Sequence, residues 1–274
     1  RYGTPTTFAL EEGIAEIENG YRTIATSSGM SSISITLLSF LSKDDHCLIS
    51  DCTYFPTKKF AMKILSKFGV KVDFYDPTNI DSLKKRINRK TKLIFMESPA
   101  SLTFEIEDIS EITKIAKKRK IITVMDNSWA TPFYFSPINH GIDVSILAAT
   151  KYISGHADTM LGLITVKNEK LFLKIKDNAV SLGDCPGPQE CYLSLRGLRT
   201  LSARLELHRS SALKIARLLE NNDKVSKVLH PALPKNDNYE LWSKYFTGST
   251  GLFSFILKEQ SKSKVYKMID KLEL

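Results

Sequence analysis

Apolar side chains recur along this chain in two alternating rhythms. Leu10, Ile14 and Ile17 follow Thr6 and Thr7 at helical spacing and stop at Asn19-Gly20, so residues 8–19 are expected to form a helix. The segment 23–28 (TIATSS) then predicts a strand running into Ser28, Gly29 and Met30, and a new helical period (Ile33, Leu37, Leu38, Leu41) starts at Met30. Afterwards strands and helices alternate with few interruptions: strand 47–50, helix 57–69, strand 70–76, a helix over 80–87, strand 91–98, helix 106–118, strand 121–126, strand 143–150 and strand 160–167. A helix over 171–182 follows, then one long helical pattern from Tyr192 to Leu219, a glycine-kinked strand within 246–258, and the start of a last helix.

Such alternation is the pattern of right-handed βαβ units. The expected fold class is α/β, a mainly parallel sheet sandwiched by helices. Val144, Ile146 and Leu147 with Ala148 and Ala149 fit a short strand buried on both faces in the middle of that sheet. Lys151 stands at its carboxyl end, where open α/β sheets bind ligands. Taken by itself, this stretch also fits a surface lysine capping a strand.

Other strand ends carry candidate chemistry. Gly29 and Met30 lie at a strand-to-helix turn whose free backbone amides face any anion; an ordinary small-residue turn fits equally. Tyr54 follows a strand and reads as a core aromatic, a turn filler, or a ring for a planar ligand to stack on. Asp126 closes an apolar run, where a carboxylate caps the next turn, binds a cation or meets a protonated ring nitrogen.

Composition narrows the function classes. The 274 residues, 42% hydrophobic, suit a globular protein of one large core or about two domains. The net charge of +9 is spread through mixed-charge segments without an aromatic-interleaved stripe, so nucleic acid is not an expected partner. Four cysteines in a chain of this length are no disulfide framework, and a reducing cytoplasm is the expectation. The longest apolar run, around Ile33–Leu41, is too short and too hydroxylated to span a bilayer, so no membrane role is expected. The chain opens on Arg1 and stops inside an amphipathic pattern (Val265, Met268, Ile269, Leu272), as a segment of a longer protein would.

Eight blocks now occur in order: YRTIATSSGMSSI, SDCTYFPT, FMESPAS, VMDNSWATP, DVSILAATKYISGHAD, YLSLRGLRTLSARL, HPALP and FTGSTGLFSFILK. Together they resemble the Cys/Met-metabolism group of fold-type I pyridoxal-phosphate (PLP) enzymes, nearest its β-lyase branch, over essentially the whole chain. The resemblance implies a seven-stranded large domain over 1–197 and an incomplete C-terminal α+β domain over 198–274. It implies that Lys151 holds PLP as a Schiff base and moves the Cα proton, that Asp126 bonds the pyridine nitrogen, and that Tyr54 stacks on the ring. Gly29 and Met30 match the backbone cup for the cofactor phosphate, Thr150 the hydroxyl beside it, and Arg1 an arginine that reaches the phosphate of a neighbouring subunit. Ser128 and Trp129 are expected around the substrate.

The activity implied is α,β-elimination of L-cystathionine to homocysteine, pyruvate and ammonia by a dimer or dimer of dimers. A γ-synthase, a γ-lyase and a PLP-binding chain without turnover stay open. Ala100 and Ser101 stand in ESPAS where γ-eliminating relatives carry an asparagine, which favours the β-lyase branch. Ala148 and Ala149 offer no hydroxyl to the phosphate. The arginine that clamps the substrate carboxylate in this family is expected beyond Leu274.

Overall fold

The computed structural model describes residues 2–259 and 261–273. Its elements are α1 (Pro5–Glu18), β1 (Arg22–Thr26), α2 (Gly29–Phe40), β2 (His46–Ser50), α3 (Phe55–Lys63), β3 (Lys71–Tyr75) and α4 (Ile80–Arg86). They continue as β4 (Thr91–Glu97), α5 (Ile109–Arg119), β5 (Ile122–Asp126), α6 (Thr131–Tyr134), β6 (Val144–Ala148), β7 (Gly162–Val166) and α7 (Glu169–Ser181). The last are α8 (Pro188–Leu198), α9 (Leu201–Glu220), β8 (Val225–Leu229), α10 (Tyr239–Tyr245), β9 (Ser254–Leu257) and α11 (Lys262–Ile269).

Local chemistry sets many of these bounds. The Thr4 hydroxyl accepts from the Thr7 amide and Pro5 opens α1, while Asn19 closes it in the left-handed region at φ 53°. Residues 57–69, expected as one helix, divide: α3 starts earlier, at Phe55-Pro56, and ends at Lys63, and the chain tightens into a 3-10 turn over Leu65–Phe68 before Gly69.

Strands β1 to β7 form one sheet in the order β1-β7-β6-β5-β4-β2-β3. Strands β2 to β6 run parallel, and β7 runs antiparallel to both β6 and β1. The inner parallel strands β2, β4, β5 and β6 are buried on both faces because side chains alternate between two cores, whereas the edge strand β3 is largely exposed. Leu48, Ile94, Met96, Met125 and Leu147 belong to one; Ile49, Phe95, Val124 and Ile146 belong to the other, beneath α2 and α7. Burying each such side chain is worth roughly 1.5–3 kcal/mol, so a slip of one residue in register would be costly.

Three features depart from the sequence expectation. The helix expected over 192–219 is two helices, α8 and α9, broken at Arg199 and Thr200. Strand β8 and helix α10 had no distinct periodic signal. Strands β8 and β9 pair antiparallel as a separate two-stranded sheet, with a small cluster of Ala216, Val228 and Leu233 nearby. Among the described residues, no helix is long and apolar enough to cross a membrane.

Candidate active site

The parallel strands deliver their carboxyl ends to one rim, and the sequence-selected residues gather there. Asp126 ends β5 and pairs in register with Ile146 of β6; the Asn127 amide then donates to the Ile146 carbonyl at 2.8 Å. The chain leaves β6 at Ala148, and the Lys151 amide bonds back to the Ala148 carbonyl at 3.0 Å. Lys151 and Asp126 therefore project from the same end of adjacent strands. The Lys151 side chain is exposed, and no ion pair engages it among the described residues.

The turn entering α2 meets the same rim because Thr26 of β1 and Ala148 of β6 both pair with Gly162 of β7. The Ser28 hydroxyl caps α2 by accepting from the Ser31 amide at 3.0 Å, and the Ser32 amide bonds the Ser28 carbonyl at 3.0 Å. That leaves the first-turn amides of Gly29 and Met30 for an external acceptor. A Cβ on Gly29 would stand 2.9 Å from the Ala148 Cβ, so glycine is what lets the helix end press onto β6. Ser27 is tied from the side, its amide donating to Asp184 at 3.1 Å.

Asp126 is a buried carboxylate whose Oδ1 accepts from the Ser128 amide at 2.9 Å. Burial raises its pKa, and the Ser128 hydrogen bonds oppose that. The Ser128 hydroxyl also accepts from the Ala148 amide at 2.7 Å, fastening β5 to β6 directly between Asp126 and Lys151.

Glu97 ends β4 in register with Asp126 and was missed in the sequence, although it closes an apolar strand just as Asp126 does. Its Oε2 accepts from the Tyr54 amide at 2.7 Å and its Oε1 from the Ser101 hydroxyl at 2.5 Å. Burial first, and the Asp126 carboxylate second, push its pKa up to about 8. Through that amide, Glu97 holds the turn that carries Tyr54, whose ring is half exposed at the rim.

The remaining expected residues are placed differently. The Thr150 hydroxyl donates to the Leu161 carbonyl at 3.2 Å and accepts from the Leu161 amide at 3.0 Å, so in this arrangement it closes the loop after β6. Trp129 is buried, its Nε1 donating to the Leu252 carbonyl at 2.8 Å and its ring edge-on to Phe104 and Phe246. Arg1 lies outside the described residues.

The donor set fits PLP. Two unpaired helix-start amides suit a phosphate, an exposed primary amine suits an aldehyde, and a buried carboxylate without a basic partner suits a protonated ring nitrogen. A buried acid in that position gains most from a cationic donor, because among the described residues its hydrogen bonds come from Ser128 and no cationic side chain pairs with it.

Comparison with known proteins agrees. The family model described as Cys/Met metabolism PLP-dependent enzyme matches residues 1–274. The chain is 40% identical over 273 residues to an L-alanine/L-glutamate racemase of Wolbachia pipientis wMel, covering 99% of this chain and 67% of that protein. It is 39% identical over 264 residues to cystathionine beta-lyase MetC of Escherichia coli K12, covering 95% and 66%. The crystal structure of cystathionine gamma synthase from Xanthomonas oryzae pv. oryzae, in complex with aminoacrylate and cysteine, superposes with a TM-score of 0.96 at 30% identity over 99% of this chain and 70% of that one. The chain thus spans about two thirds of the length of these relatives.

Proposed function

The chain belongs to the Cys/Met metabolism family of PLP-dependent enzymes, and within that family we propose that it cleaves L-cystathionine by α,β-elimination, giving homocysteine, pyruvate and ammonia. The observation that carries the reading is the convergence of Lys151, Asp126 and the start of α2 on one sheet rim. The choice of β-elimination over the γ-reactions rests on Ala100 and Ser101 in place of the asparagine.

PLP, when bound, supplies an electron sink for the bond broken at the substrate Cα. Gly29 and Met30 would donate their amides to its phosphate, and the Ser28 cap leaves those amides free for it. Asp126 would accept the hydrogen bond of the ring nitrogen and keep the proton there, with Ser128 fixing the carboxylate's angle. Tyr54 would cover one face of the ring from a turn that Glu97 anchors. The Lys151 amine would hold the cofactor through its aldehyde and, once free, would be the base for the substrate Cα proton. In the net reaction, L-cystathionine and one water would give homocysteine, pyruvate and ammonia. By the same resemblance the proposed working form is a cytoplasmic dimer or dimer of dimers.

The test uses visible absorbance and product release. We expect PLP to bind with a protein-linked absorbance band that Lys151→Ala abolishes, and cystathionine to release pyruvate rather than α-ketobutyrate. Release of α-ketobutyrate, or D-alanine from L-alanine without pyruvate, would replace the β-lyase reading with a γ-reaction or a racemase of the kind found in Wolbachia. PLP binding with no product at all would leave a cofactor-binding chain without turnover.

A further inference from the structure

The turn that follows Lys151 is held by a group far away in sequence. Resting on the reading of Lys151 as the cofactor lysine, we propose that Arg204 is a positioning residue that fixes the backbone of the Lys151 turn. Upstream, Lys151 is secured by β6 and its two neighbours. Downstream, the chain makes one tight turn, with the Ser154 amide on the Ala149 carbonyl at 2.9 Å and the Gly155 amide on the Lys151 carbonyl at 2.8 Å. The next carbonyls have no strand to pair with. Arg204 takes them: Nη1 donates to the Tyr152 carbonyl at 2.7 Å and Nη2 to the Ile153 carbonyl at 3.2 Å.

The same guanidinium reaches back to the break between α8 and α9. Nη2 also donates to the Gly197 carbonyl at 2.7 Å, and Nε to the Thr200 hydroxyl at 3.0 Å. One planar group therefore ties three carbonyls from two segments, which a lysine ammonium on its flexible stem would not match. Gly155, at φ 77°, makes room for it: a Cβ there would run into the guanidinium. Tyr152 adds two further ties to the C-terminal third of the chain, its hydroxyl accepting from the Gly251 amide at 3.2 Å and its ring meeting His208 edge-on. The residue next to Lys151 is thus gripped from positions 204, 208 and 251, so the placement of the amine depends on the α8–α9 junction.

The consequence is selective. Arg204 touches neither the α2 amides nor Asp126, so its loss should disturb what Lys151 bonds to and spare what the cup binds. Pyridoxamine phosphate separates the two effects, because it has the phosphate and ring nitrogen but no aldehyde for the lysine. In Arg204→Met, which keeps an apolar stem and removes the donors, we expect capture of PLP at Lys151, trapped with borohydride and located by mass spectrometry, to slow by about 10- to 100-fold, the range expected for a misplaced reacting group. Pyridoxamine-phosphate affinity should stay within about twofold of wild type, since those contacts are separate. Arg204→Lys should fall between. Equal losses for both ligands would reduce Arg204 to a general structural role, and unchanged capture would refute the proposal outright. If Arg204→Met does not fold, Arg204→Lys and Thr200→Val, which removes the Nε partner together with that hydroxyl's own bond to the Gly197 carbonyl, carry the same comparison. Failure of the wild-type chain to capture PLP at residue 151 would instead overturn the assignment of Lys151, before any Arg204 variant is measured.

Discussion

Adding one methyl group at Gly29 separates folding from cofactor binding. In Gly29→Ala the new Cβ would lie 2.9 Å from the Ala148 Cβ and 3.2 Å from its Cα, against ordinary carbon contacts of about 3.5–4.0 Å. Ala148 has little freedom to recede, because it pairs with Gly162 of β7 and its amide is bonded to Ser128. The start of α2 must shift by roughly half an ångström or more to reach that spacing. Such overpacking costs about 1–3 kcal/mol, while alanine in place of a helical glycine returns about 0.5–1 kcal/mol. Net destabilisation is then about 0–2.5 kcal/mol, or up to about 10 °C in Tm at roughly 2–4 °C per kcal/mol. The phosphate amides sit on the residues that move. Losing one hydrogen bond to a charged group costs about 1.5–3 kcal/mol, which weakens PLP binding by about 10- to 100-fold. Thermal melts and PLP titration by absorbance give the two numbers. Ala148→Gly in the same chain removes the tightest contact and should recover part of the affinity, a coupling that independent sites would not show. Wild-type PLP affinity in Gly29→Ala would refute the assignment of the α2 amides as the phosphate cup.

Two further outcomes can be checked directly. Asp126→Asn keeps an acceptor for the Ser128 amide but no negative charge for the ring nitrogen, so PLP should remain bound while kcat falls by about 10²- to 10³-fold; unchanged turnover would remove Asp126 from its role. Glu18, fully buried with Ser145 as its partner, has its pKa pushed up from 4.5 to about 8, chiefly by burial. A raised folded-state value means that the stability it contributes is whole below about pH 4.5 and is lost as pH rises through 8, by about 1.4 kcal/mol per pH unit. Glu18→Gln removes that proton from the linkage, so denaturant unfolding between pH 5 and 8 should fall less steeply than in wild type, and parallel curves would sink the argument.

Much of the rim was legible before any fold was known, and the reason is local. Ile122–Asp126 and Val144–Ala148 announce themselves as buried strands because their side chains must be apolar on both faces, and a charged residue directly beyond such a run has to stand at the sheet's edge. Glu97 carried the same signal and was overlooked, since burial of an acid beside a second acid has meaning only once β4 and β5 are known to be neighbours. Family resemblance assigned roles to Lys151, Asp126, Tyr54 and the Gly29 turn, but the strand pairing is what brings positions 29, 54, 126 and 151 together. Thr150 shows the converse: the resemblance gives its hydroxyl a place beside the phosphate, and only the folded loop reveals its bonds to Leu161.

Periodicity alone, then, determined the kinds of elements, most of their approximate limits and the α/β class, because apolar spacing records which face of each segment is buried. The tertiary structure alone decided the antiparallel course of β7, the division of 192–219 into two helices and the grip of Arg204 on the turn after Lys151. Each of these depends on a partner dozens of residues away. A hydrogen bond from position 204 to position 152 leaves no trace in the spacing around either one.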